Sequence, residues 1–347
     1  MNRAYFTCAE SALAHCSLEP LVGRTLLVTG ATGLLGSHLC AAVVLANQRH
    51  GLGIRLIATS RSPPPPWLAG LFAAPHVHFE PVDLSADPDW LIRQTFDAVV
   101  HGATYGQPKR FLEQPFETIR LNGRALELLL ERANQCGARV LFLSTSEIYA
   151  PSATGHAVTE DHPCQSPLGA RGIYTSAKIF GETLCRAYAE QEGLPTRVAR
   201  VSSVYGPGVR CDDHRVIYEF IRRAMKSHRI ALLDQGAQER CWLYAADATA
   251  MLFWVLLHSK QAVYNVAGTE RRSILQLAEL IAAETGASVE LPHESRTESH
   301  TAGSPQSVHP DIRRLAQESG LLESVELQEG VAASVDWMRE RLHEEQT

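Results

Sequence analysis

The segment "RTLLVTGATGLLGSHLCAAVVLANQ" (24–48) constrains the chain more than any other. An apolar run, "RTLLVTG" (24–30), reads as a buried strand, and "GLLGSHLCAAVVLANQ" (33–48) reads as a helix. Gly30, Gly33 and Gly36 fall between and within them. Glycine permits the tight turn and lets the backbone approach a ligand closely. The helix start offers free N–H groups and the positive end of a dipole, which together suit a pyrophosphate. Gly30, Thr32, Gly33, Leu34, Leu35 and Gly36 are therefore expected to cradle a dinucleotide. The second strand, "IRLIATS" (54–60), ends at Ser60 and Arg61. An acidic residue there would hold the ribose hydroxyls of NAD, whereas arginine pairs with a 2′-phosphate. The reading of a tightly bound NAD(P) thus leans towards NADP and leaves NAD open.

Further continuous apolar runs follow at 76–84, 96–103, 139–146 and 195–208. Helical stretches separate them, among them 117–137, which ends on a glycine stop, and one carrying "YTSAK" (174–178). Strands of this kind alternating with helices predict an α/β fold. It is a doubly wound parallel sheet of the Rossmann kind, with a smaller, mainly helical C-terminal substrate-binding region. The expected division is a leader at 1–22, a dinucleotide-binding part at 23–204 with 238–268, and a substrate-binding part at 205–237 with 269–347. The four prolines of "RSPPPPW" (61–67) predict a loop, and 292–310 interrupts the last helical stretch.

Composition excludes several classes. A net charge of -6 over 347 residues argues against nucleic acid or an anionic membrane as partner. The eight cysteines form no C-x-x-C pair, so they read as reduced thiols and no metal site is expected. "HVH" (76–78) lies in a strand-like run. With no basic start leading into an apolar run at the N-terminus, and no apolar stretch long enough to span a bilayer, the expected location is cytoplasmic.

"YTSAK" carries the chemistry. Tyrosine ionises near pH ~10 and needs positive charge nearby to act as a base at neutral pH. Lys178 lies four residues along the same helix, on the face of Tyr174. The expectation is that its ammonium, with an oxidised nicotinamide, favours the phenolate.

In order, "TGATGLLG" (29–36), "VDL" (82–84), "HGAT" (101–104), "STSEIY" (144–149), "YTSAK", "VYGPG" (204–208), "RCWLYAAD" (240–247) and "PDIRR" (310–314) resemble the extended short-chain dehydrogenase/reductase family. The likeness is to its nucleotide-sugar epimerases, dehydratases and decarboxylases, and runs from residue 24 to about 340. The resemblance implies a catalytic set of Thr145, Ser146, Glu147, Tyr174 and Lys178, with Lys178 also reaching the nicotinamide ribose. It places Asp83 and Leu84 beside the adenine and His101, Gly102 and Ala103 beneath the cofactor. Asn122 would support the site. Thr104, Tyr105, Ser203 and Arg240 would meet a nucleotide-sugar substrate. Helices over 112–135 and 172–192 resemble those of a family dimer interface, so a homodimer is expected.

The implied reaction is transient oxidation at sugar C4, coupled to decarboxylation or 4,6-dehydration, with the hydride returned. Simple 4-epimerisation, net NADPH-dependent reduction of a ketone or aldehyde, and a non-catalytic cofactor-binding role are the alternatives. Ser203 stands where the family commonly has asparagine, Ala150 where it has glycine, and "TYGQPKR" (104–110) where decarboxylases have a Ser/Pro-rich segment.

Overall fold

The computed structural model describes residues 3–150, 156–167, 169–294 and 307–344. Helix α1 (Arg3–His15) precedes strand β1 (Thr25–Thr29), α2 (Leu34–His50), β2 (Arg55–Ser60), α3 (Pro66–Phe72), β3 (Val77–Pro81) and β4 (Ala98–His101). Then come α4 (Pro108–Glu113), α5 (Pro115–Asn122), α6 (Arg124–Cys136), β5 (Arg139–Thr145), α7 (Gly172–Glu192), β6 (Thr196–Val201) and β7 (Ser203–Tyr205). The remainder holds α8 (Val216–Ser227), β8 (Arg229–Ala231), β9 (Glu239–Tyr244), α9 (Ala245–Leu257), β10 (Val263–Val266) and β11 (Arg271–Ser273). It closes with α10 (Ile274–Thr285), β12 (Ser288–Glu290), α11 (Arg313–Ser319) and α12 (Leu327–Glu344).

Seven parallel strands form the central sheet in the order β10-β6-β5-β4-β1-β2-β3. Successive side chains on a strand point to opposite faces, and the core divides accordingly. Leu26, Val28, Val100, Leu141 and Ala199 join the cluster under α2 and α9. Leu27, Val99, Val140, Phe142 and Val198 join the one under α6 and α7. The doubly wound parallel sheet expected from the sequence is therefore observed. In the stretch 238–268, α9 packs on this sheet and β10 extends it, but β9 pairs with β7 and β11 in a separate three-stranded sheet. A third, two-stranded sheet joins β8 and β12.

Three local expectations need correction. Residues 1–22 were expected to precede the domain, yet α1 packs on α2 and α9, and Tyr5, Cys8, Ala9 and Ala12 are buried. The Tyr5 hydroxyl bonds Ser37 on α2 (3.0 Å) and donates to the Gly208 carbonyl (3.1 Å), while its ring meets Trp337 of α12 edge-on at 5.7 Å. The single helix expected over 117–137 is two, broken at Gly123 (φ -109, ψ -93). The proline tract does not exclude helix at its end, because Pro66 opens α3. A first-turn proline sacrifices no hydrogen bond and its fixed φ suits the helix. Within the interruption at 292–310, residues 295–306 lie outside the described residues, and the strand-like bridges Glu239–Ser307 and Val158–Pro310 tie down the chain between 307 and 310.

Because Tyr5 joins α1 to three other parts of the fold, Tyr5→Ala is expected to lower stability by about 3–5 kcal/mol in urea unfolding. A change under about 1 kcal/mol would mean that α1 is only a leader after all.

Candidate active site

A cavity of about 820 Å³ runs from the start of α2, past the end of β5, to the loops before and after α8. At its first end the glycines answer to backbone crowding. A Cβ on Gly30, which has φ 72, would lie 2.7 Å from the Gly102 carbonyl oxygen, and one on Gly36 would lie 2.3 Å from that of Gly30. β1, β4 and α2 can meet only without side chains there. Gly33 is the N-cap of α2 and no side chain caps the helix, so the first-turn N–H groups remain for a ligand. Gly30, Gly33, Leu34, Leu35, Gly36 and Gly102 all line the cavity. This uncapped, glycine-built cradle fits a dinucleotide pyrophosphate.

The neighbouring expected residues hold that cradle from outside the cavity lining. Thr32 N–H donates to Ser60 Oγ (2.9 Å), stapling the turn to β2. His101 is fully buried, and its Nε2–H donates to the Leu121 carbonyl (3.1 Å). Its Nδ1 therefore accepts from the Thr29 hydroxyl (2.9 Å), whose oxygen accepts from Ala103 N–H (3.2 Å). Burial pushes the His101 imidazole down to about 4 against the pull of the Leu121 carbonyl, with Lys178 adding to the fall. Asp83 Oδ1 accepts from both the N–H and the hydroxyl of Ser85, and Leu84 is buried in the core. Arg61 donates to the Tyr105 hydroxyl (2.6 Å) and lies 5.3 Å from its ring centroid. Tyr105, expected at the substrate, thus stands with Arg61 beyond the end of β2 and does not line the cavity.

The residues expected to be catalytic do come together at one cavity. β5 delivers Thr145 at its end, and Thr145 Oγ1 caps the following turn by accepting from Glu147 N–H (3.2 Å). Thr145 lies near enough to Tyr174 to pull its phenol down. Thr145, Ser146, Glu147, Tyr174 and Lys178 all face the cavity, as do Thr104, Ser203 and Arg240. Asn122 supports Thr104 by donating to its Oγ1 (3.0 Å).

Lys178 and Tyr174, both on α7, share the cavity wall. Lys178 is buried, donates to the Leu143 carbonyl (2.6 Å) and sits 4.5 Å from the Phe142 centroid. Burial draws its ammonium down to about 7, opposed by the Glu182 carboxylate. Burial, and then the Glu147 charge, push the Tyr174 phenol up; Thr145 and Arg171 pull it down. Arg171, three residues before Tyr174, is a cation that pulls the phenol down. Sequence reasoning passed over Arg171, although the i, i+3 spacing offered the signal. It grips Glu147 through both Nε (3.2 Å) and Nη2 (2.9 Å) and is itself buried. Arg240 lies close enough to feel the charges of both.

Fold and site together define a dinucleotide-dependent enzyme of the extended short-chain dehydrogenase/reductase type. The chain belongs to the NAD dependent epimerase/dehydratase family, whose model matches residues 26–267. It is similar to UDP-glucuronic acid decarboxylase 1 of Xenopus tropicalis, with 27% identity over 319 residues covering 92% of this chain and 73% of the relative. It is also similar to a dTDP-4-dehydro-6-deoxy-D-allose reductase of a Streptomyces species, with 33% identity over 275 residues covering 76% and 82%. Among solved structures, dTDP-glucose 4,6-dehydratase of Streptomyces venezuelae with NAD bound superposes with a TM-score of 0.79 at 25% identity, covering 92% of this chain and 98% of the other. Among the described residues no helix is long and apolar enough to cross a membrane.

Two buried histidines make stability depend on pH. Burial depresses both His38 and His101 to about 4 from an ordinary 6.5. Their unfolded forms therefore bind protons first as pH falls, and the stability they contribute is complete above 6.5 and lost down to about 4. The loss is about 3 kcal/mol for each histidine. Urea midpoints should fall steadily over that window, and a flat profile would contradict the two neutral, buried rings.

Proposed function

We propose that this enzyme acts on a nucleotide-activated sugar carrying a C6 carboxylate. It oxidises C4 transiently and releases carbon dioxide. The observation that carries the choice is the two-point grip of Arg171 on Glu147 beside Tyr174. Dehydration needs a base for the C5 hydrogen and an acid for the departing O6. Here the carboxylate next to Tyr174 is engaged, and its neighbour is Ser146 rather than an acid. Decarboxylation needs only a C4 ketone and cations to receive the charge. The C5–C6 bond then breaks, its electron pair passes into the C4 enolate, and a proton adds at C5.

Gly30, Gly33, Leu34, Leu35 and Gly36 would hold the pyrophosphate of NAD(P), with Lys178 at the nicotinamide ribose. When bound, the nicotinamide supplies the hydride acceptor and donor at C4. Tyr174 takes the C4 hydroxyl proton while Thr145 holds that oxygen. Arg240 and Arg171 face the carboxylate, and Ser203 and Thr104 meet the rest of the substrate. Arg61, at the end of a β2 that carries no acidic residue, supports NADP over NAD. Exposed Phe116 (69%) and Ile119 (49%) on α5, and Phe180 (53%) on α7, support a homodimer through these helices.

A net reductase of a 4-keto nucleotide sugar is the second reading. The 33% identity to a reductase and the position of Arg61 favour it.

Mass spectrometry of a panel of UDP- and dTDP-sugars and uronic acids, incubated with either dinucleotide, tests both. Loss of carbon dioxide without net cofactor consumption is the expected result. Loss of water, or unchanged mass with new stereochemistry, would overturn it. Gain of two hydrogens with matching NADPH consumption would establish the reductase. Tyr174→Phe should lower turnover about 10²–10⁴-fold while leaving dinucleotide affinity intact.

A further inference from the structure

Tyr174 has a neighbour that no motif announces. Phe111, on α4, is buried, and its ring lies 4.7 Å from that of Tyr174 with the planes only 4° apart. The Arg171 guanidinium carbon also sits over the Phe111 ring, 5.6 Å from its centroid. Arg171 grips Glu147, Glu147 N–H bonds Thr145 Oγ1, and Thr145 lies near enough to Tyr174 to pull its phenol down. These residues form one circuit around the phenol: Tyr174, Phe111, Arg171, Glu147, Thr145. Phe111 alone comes from outside the segments that start at β5 and α7.

α4 is anchored independently of that circuit. At its N-cap, Gln107 Nε2 donates to Asp213 Oδ2 (2.9 Å), and Arg110 pairs with Asp212 (3.6 Å). The loop before α8 therefore fixes where Phe111 can stand. A phenol on the end of a rotatable side chain keeps its oxygen on target only if its ring plane is fixed. Parallel stacking supplies that restraint, and the same aromatic face attracts a guanidinium.

We propose that Phe111 is a positioning residue for Tyr174, fixing the plane of the phenol and seating Arg171 beside it. It acts on turnover and not on the affinity for dinucleotide or substrate. The inference rests on the reading of Tyr174 as the proton acceptor.

The test is Phe111→Leu, which keeps an apolar side chain and removes the flat face, assayed on whichever nucleotide sugar the unaltered enzyme turns over. Dinucleotide affinity should stay within about twofold and KM within about threefold, while kcat falls at least about tenfold. The rising limb of the kcat–pH profile should move to higher pH, because Arg171 is one of the groups that lower the phenol. An unaltered kcat and profile would overturn the proposal. So would a loss confined to KM, or failure to bind the dinucleotide, since either makes Phe111 a purely structural residue. If the leucine variant does not fold, Phe111→Met is judged by the same criteria. If the unaltered enzyme turns over no sugar of the panel, the functional reading fails and Phe111 is judged by crystallography. A Tyr174 ring rotated by more than about 30° in the variant supports the proposal, and an unmoved ring refutes it.

Discussion

Backbone crowding at one corner of the sheet governs the rest of the molecule. The turn after β1, the end of β4 and the first turn of α2 meet at distances that no Cβ tolerates, at Gly30 and Gly36. That meeting sets α2 pointing its uncapped start into the cavity. It also brings the end of β4 alongside the end of β5, and so aligns the cradle with Thr145. Beneath it, the chain of hydrogen bonds through Thr29, His101 and Leu121 locks β1 to β4 and to α5 with a neutral imidazole. A charged ring there would have to give up one acceptor or one partner. Thr29 and His101 are already committed to partners, while the first-turn N–H groups of α2 stay open to the cavity.

The catalytic end works on a different principle. Two buried groups carry opposing electrostatic strain: the Tyr174 phenol is pushed up and the Lys178 ammonium is drawn down. Lys178 keeps its proton partner in the Leu143 carbonyl and rests over the Phe142 ring. Arg171 serves Glu147 and Tyr174 at once, so charge, hydrogen bonding and ring packing are shared among few residues. Substituting any one of them therefore perturbs several others, and their energies do not add.

Much of this was legible in the chain. The sheet was, because alternate residues of the strands are apolar on both faces, and the cradle was, because only glycine fits it. The convergence of Thr145, Tyr174 and Lys178 came from ordered motifs. The features that escaped notice depend on contacts far apart in sequence. Phe111 reaches Tyr174 across 63 positions, which no periodicity records. Arg171 meets Glu147 across 24 positions. The pairing of Tyr105, which the resemblance places at the substrate, with Arg61 likewise joins residues 44 positions apart. The packing of α1 was visible in principle, since Tyr5, Cys8, Ala9 and Ala12 fall on one helical face. An unassigned N-terminal segment obscured it.

The cavity is walled by more than one sheet. Arg240 and Ser203 ride on the three-stranded sheet of β7, β9 and β11, which separates from the seven-stranded one at Ser202. Ser202 still hands its N–H to Val266 and its hydroxyl to Cys241, bridging the two layers. The wall of the cavity is therefore drawn from separate ladders joined at a seam.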